Sequence, residues 1–161
     1  MHHVPPGIPG LIVGLVIFPL LGLPIHRSLA PGPFNLDPQD KWNAFEPFLA
    51  KYLRLGEFIV GLATGSIVLL VGSSSLRGQS LTLPWYYASP LYVLCWSVLW
   101  GIVFMVWLTY HYEDYQHGET KHTRKAYALS LTLGFSSLLC FILGYVWLIF
   151  RVTTQHVVVG N

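Results

Sequence analysis

The sequence predicts an all-α integral membrane protein, with four transmembrane helices and one interfacial helix in a single membrane domain covering residues 1–161. Apolar residues make up 53% of the chain and charged residues only 10%, whereas about a quarter of a soluble domain is charged. Four intervals contain no Lys, Arg, Asp or Glu, and these are 1–25, 58–76, 78–112 and 126–150. Because the hydrocarbon core of a bilayer needs about 20 apolar residues, each interval can supply one span.

The first span is predicted at about residues 8–25. Gly10 and Gly14 form a small-xxx-small pair, which permits close approach of another helix backbone. Pro19 lies in mid-span and predicts a kink, because its ring displaces the carbonyl four residues earlier. We expect Pro24 to mark the exit from the span.

The connection over residues 26–56 is predicted to contain an interfacial amphipathic helix at about 38–46. Asp37 and Pro38 have the residue types of an N-cap and a first helical position. Apolar side chains then recur at spacings of 3, 4 and 3 residues, which suits a helix lying among lipid headgroups: Trp42, Phe45, Leu49 and Tyr52. Pro47 is expected to separate this helix from a longer one that enters the membrane.

The second span is predicted at about 57–73 and the fourth at about 126–150. Both carry small residues along one face, which favours packing in lipid where apolar area gives no preference. We therefore expect the two faces to be neighbours, or to serve self-association and contacts with other membrane subunits. The residues are Gly61, Gly65 and Gly72 in the second span, and Ser130, Gly134 and Ser137 in the fourth.

The third span is predicted at about 90–110, beginning at Ser89-Pro90. Aromatic residues share one of its faces, at spacings of 4, 4 and 7: Tyr92, Trp96, Trp100 and Trp107. A ring-shaped cofactor can stack on such a stripe. The favoured interpretation is packing, with the terminal aromatic residues anchored at the headgroups.

The basic residues predict the orientation. Seven of the nine Lys and Arg residues fall in or beside the loops 26–56 and 111–125, and the other two are Arg77 and Arg151. The positive-inside bias therefore places both loops in the cytoplasm and both termini outside. The compact loops indicate a plasma or inner membrane. A net charge of only +2 argues against nucleic acid, which requires a basic stripe.

The polar run 110–127 holds the candidate site residues. Carboxylate and imidazole ligands together suit iron, manganese or zinc, so a non-haem metal site would use His111, Glu113, Asp114, His117 and His122. A haem would instead be held between His26 and His111, which lie near the same ends of their spans. Both sites are short of ligands or weakly constrained, so we expect no cofactor and interpret the run as a solvated cytoplasmic turn.

The function predicted from these observations is contact between membrane helices, as an accessory or scaffold subunit of a membrane complex, and not catalysis. The alternative is a membrane redox protein or metalloenzyme that uses the His/Asp/Glu cluster. The lipid bilayer and other membrane subunits are the expected partners.

The orientation can be tested with accessibility tags at the two termini. We expect a membrane-impermeant reagent to label both tags on intact cells, because four spans return the chain to the side on which it began. Labelling of the C-terminal tag alone would instead show that the first span is not inserted.

Overall fold

A computed structural model describes residues 7–28, 45–73, 87–116 and 124–159. Within these residues four helices follow one another: α1 (Ile8–Ser28), α2 (Phe45–Gly72), α3 (Ala88–Gln116) and α4 (Arg124–Val159). All four are long and apolar enough to cross a membrane. The predicted all-helical fold with four such helices is confirmed.

All four helices are longer than the spans predicted for them. α2 begins at Phe45 instead of residue 57, α3 reaches Gln116 instead of residue 110, and α4 continues past Arg151. The physical reason is that charged side chains near the end of a span can reach the headgroups while their backbone stays helical. Charge marks a change of environment and does not mark the end of a helix.

Three of these helices contain proline, and in α2 and α3 it is the third residue of the helix. Pro24 does not end α1, which continues to Ser28, because neighbouring groups in a packed bundle can compensate for the lost hydrogen bond. Pro47 lies in the first turn of α2, where its missing N–H has no partner to lose. Residues 38–44 of the predicted interfacial helix lie outside the described residues, and its last two belong to α2, so that helix stays a prediction.

Helix α3 is the centre of the bundle, because it packs against each of the other three helices. It runs parallel to α1, with the Trp100 and Phe18 rings stacked at 4.7 Å between centroids. Trp100 Nε1 also donates a hydrogen bond to the Gly14 carbonyl at 3.3 Å. A Cβ at Gly10 would overlap the backbone carbonyl of Ser89, so the predicted small pair on α1 does provide a close approach.

Helices α3 and α4 are antiparallel and share the most extensive contact in the bundle. Ser97 Oγ donates to the Ser137 carbonyl and Ser137 Oγ donates to the Ser97 carbonyl, each at 2.8 Å. Both serines are buried. At the far end of the same contact, Gly144 leaves room for the Leu94 side chain.

Helix α2 packs on another side of α3. Gly56 lies against Met105, and the Tyr52 ring meets Phe104 edge-on at 6.4 Å between centroids. Leu49, Phe104, Leu108 and Leu133 form the buried cluster at this end of the bundle. Because α2 and α4 are both held by α3, they touch each other only marginally.

Gly101 is the point at which α2 and α4 both meet α3. A Cβ built at Gly101 would lie 2.5 Å from Val60 Cγ2 on α2 and 3.0 Å from Ser137 Oγ on α4. A Cβ at this position would therefore push α2 or α4 away from α3.

We expect Gly101→Ala to lower the free energy of unfolding by about 1–3 kcal/mol, the usual cost of overpacking. Val60 is unable to yield cheaply, because a β-branched side chain has one strongly preferred rotamer in a helix. Gly134→Ala is the matched control, since its added Cβ would meet only Phe104, at 3.4 Å or more. Equilibrium unfolding of the purified proteins in detergent micelles measures both variants, and equal stability would contradict the assigned crossing.

Candidate functional site

Four of the predicted site residues, His26, His111, Glu113 and Asp114, lie near the ends of α1 and α3 within the described residues. Helix α3 extends through the start of the polar run, so His111, Glu113 and Asp114 are helical residues. His111 is partly buried, and its ring meets Trp107 edge-on at 4.3 Å between centroids. Glu113 is exposed and Asp114 is partly exposed.

The two predicted haem ligands fall at the same end of the bundle. His26 is exposed in the last turn of α1, and His111 lies near the last turn of α3, which runs parallel to α1. The aromatic contact of His111 with Trp107 gives its ring a structural role whether or not a haem is bound. Haem ligation by the pair stays a prediction.

The predicted metal site is only partly within the described residues, because His117 and His122 lie outside them. Among residues 7–28, 45–73, 87–116 and 124–159, no three His, Cys, Asp or Glu side chains are close enough together to hold a metal ion. The remaining ligands, His111, Glu113 and Asp114, are therefore not sufficient by themselves. A site completed by the two other histidines stays a prediction.

The aromatic stripe of α3 is covered by α1 along its middle. Trp96 lies against Gly14 and stacks on Trp100 at 5.4 Å between centroids. Trp100 in turn stacks on Phe18. These contacts agree with the packing interpretation of the stripe, since α1 occupies the position that a stacked cofactor would need.

The small-residue faces of α2 and α4 do not meet, so the prediction that they are neighbours is wrong. On α4, Gly134 contacts Phe104 and Ser137 contacts Gly101, both residues of α3. On α2, a Cβ at Gly61, Gly65 or Gly72 would find no atom within 4 Å. The physical reason is that α3 supplies its own small residues to both neighbours.

A cleft lies between α2 and α4, and α3 forms its floor. It has a volume of about 130 Å³. Glycines contribute to all three of its walls, namely Gly56, Gly101 and Gly134. At one end, Tyr52 of α2 and Tyr127 of α4 share a side-chain hydrogen bond across the gap. The cleft exists because these two helices are both held by α3 and barely contact each other.

With this geometry established, comparison gives a simple result. No known family model, curated protein or solved structure matches the chain. The function must therefore be inferred from the faces, clefts and charges of the bundle.

Two positions on α3 are important for packing although their spacing in the sequence is less conspicuous than the aromatic stripe. Ser97 and Gly101 stand four residues apart and form a small-xxx-small pair in the middle of the helix. The aromatic stripe around them is the more conspicuous pattern. The small pair was nevertheless visible in the sequence, and it predicts that α3 is approached closely along that line.

We expect the purified protein to show no Soret band and no stoichiometric iron, manganese or zinc, because we interpret the polar run as a solvated turn. Absorption spectroscopy and elemental analysis of protein purified from native membranes measure both. His111→Ala should leave the spectrum and metal content unchanged. A haem or metal lost specifically in that variant would contradict this expectation.

Proposed function

We propose that the protein is inserted in the plasma or inner membrane as a four-span accessory or scaffold subunit. It would act through helix–helix contacts made by the glycine face of α2, which consists of Gly61, Gly65 and Gly72. The observation that carries the proposal is that nothing in the described chain covers this face.

The outer surface of the bundle supports insertion. Large apolar side chains stand well exposed on every helix, among them Leu20, Phe58, Leu69, Val106 and Phe150. Soluble monomers rarely expose contiguous apolar patches of more than a few hundred Å², whereas a lipid-facing surface requires them. The basic residues at the shared end of the four helices support the predicted orientation, with that end in the cytoplasm.

The glycine face has the form of a helix-packing surface. At about 100° per residue, it lies opposite the side of α2 that carries the buried residues Ile59, Ala63 and Leu70. Phe58 and Leu69 border it and are 63% and 75% exposed. Gly61 and Gly65, one turn apart beside Phe58, let a second backbone approach closely, which is what drives association where lipid competes equally for apolar surface.

The composition of the face also argues for a partner. Each glycine costs about 1 kcal/mol relative to alanine in a helix interior, and the chain places three along one line of α2. On α1 and α3 the corresponding cost is offset, because Gly14 and Gly101 receive neighbouring side chains. On α2 the compensating contact must come from another helix, either that of a second copy or that of another subunit.

The proposal predicts that Gly61→Leu/Gly65→Leu weakens association without unfolding the chain, because the new side chains project into open space. Energy transfer between labelled copies in vesicles measures self-association, and co-purification from native membranes measures binding of other subunits. We expect at least one of the two to fall by about tenfold, equivalent to about 1.4 kcal/mol.

Thr64→Leu is the control, since it adds bulk to an exposed position of the same helix about 100° away from Gly65. It should leave association unchanged. If the double variant matches the parent chain in both assays, the glycine face is not a contact surface and the proposal fails.

A further inference from the structure

We propose that the cleft between α2 and α4 binds one anionic phospholipid, with an acyl chain inside the cleft and the phosphate beside Lys51 and Arg124. This inference concerns a different surface from the glycine face of α2. It depends on membrane insertion but not on the scaffold function.

The walls of the cleft suit hydrocarbon. The side chains of Leu55, Ile59, Phe104 and Leu131 line it. The three glycines, one on each helix, leave the space that side chains would otherwise fill. Leu55 is 51% exposed and Phe135 is 48% exposed, so the cleft opens between them towards the surrounding bilayer. An acyl chain can therefore enter from the side without passing through the bundle.

The cleft covers about two thirds of the depth of one leaflet, whose hydrocarbon is about 15 Å thick. It extends along α2 from Tyr52 to Ile59, a rise of about 10 Å at 1.5 Å per residue. This length begins close to the polar end of the helices, where Lys51 and Arg54 are exposed. A lipid whose headgroup is at that end would therefore place its chain along the cleft towards the middle of the membrane.

The helical period places two basic residues near the end of the cleft at which Tyr52 lies. Lys51 lies one turn before Leu55 and Arg124 lies two turns before Leu131, so each shares a helix face with a cleft-lining residue. Lysine and arginine near the surface of the cytoplasmic leaflet attract anionic lipids. The tyrosine hydroxyls add polar groups at the same level.

The acidic residues of α3 at this end are directed elsewhere. From the helical period, Glu113 points about 150° and Asp114 about 110° away from the direction of the cleft-lining Gly101 and Phe104. Glu57 lies on the exposed side of α2. Among the residues whose side chains the structure describes, Lys51 and Arg124 therefore lie nearer the cleft direction than Glu57, Glu113 and Asp114 do, which favours an anionic headgroup over a zwitterionic one.

Native mass spectrometry of the full chain in detergent micelles tests the proposal, with phosphatidylglycerol and phosphatidylcholine of identical acyl chains supplied at equal concentration. We expect one phosphatidylglycerol to be retained in preference. Lys51→Gln/Arg124→Gln should lower its retention by about fivefold for each charge removed and leave phosphatidylcholine unaffected. Leu55→Trp should lower retention of both lipids, because the indole fills the opening.

Leu20→Trp is the matched control, an identical change at a 65% exposed position of α1 away from the cleft. It should retain lipid like the parent chain, and thermal unfolding in the same micelles checks that every variant is folded. Equal retention by Leu55→Trp and Leu20→Trp would overturn the proposal. Displacement of the lipid by excess inorganic phosphate would also overturn it, because the basic residues would then bind a free anion. A third contrary result would be that Leu55→Trp loses a bound second copy of the protein and retains its lipid.

Discussion

The arrangement of the bundle depends on the close contact between α3 and α4 at Ser97 and Ser137. In water, apolar burial would drive two such helices together, but in lipid it gives little preference, so van der Waals contact and hydrogen bonding must hold them. The two serines supply both. Their small side chains let the backbones approach, and each hydroxyl donates to the carbonyl of the other residue at 2.8 Å.

This contact determines where α2 can lie. Gly101, one turn after Ser97, receives Val60 of α2 on one side and Ser137 of α4 on the other. Both helices are thus held by α3, and they contact each other only marginally. Two consequences follow: a cleft remains between them, and the glycine face of α2 is turned away from the bundle. The proposed partner surface and the proposed lipid site both arise from one central helix that holds two neighbours.

The sequence predicted the number and the apolar character of the helices, because the length of an uncharged run and the thickness of a bilayer are directly comparable. It predicted their ends less well, since the helices continue through charged residues such as Arg54 and Arg151. It predicted wrongly that the small-residue faces of α2 and α4 meet. A small-residue face shows that a helix can be approached closely, but every such face is compatible with every other, and only the three-dimensional arrangement selects the pair.

The candidate metal and haem residues illustrate a different limit. Their chemistry is readable from the sequence, whereas their assembly depends on how helix ends and loops converge, and His117 and His122 lie in a connection outside the described residues. By contrast, the small pair Ser97 and Gly101 was available from spacing alone. The aromatic residues around it obscured its importance, because a stripe of tryptophan is a more conspicuous pattern than a pair of small residues.

The central claim is that α3 occupies one face of α2 and leaves the glycine face for a partner. The most direct test is oxidative cross-linking in native membranes, with single cysteines placed in turn along residues 57–72 of α2 in a chain carrying Cys95→Ser and Cys140→Ala. For association between two copies, we predict intermolecular disulfides that recur at Gly61, Gly65 and Gly72, with none at Ile59, Ala63 or Leu70. Intermolecular cross-links at Ile59, Ala63 and Leu70 would contradict it, since those positions are assigned to the buried side of α2.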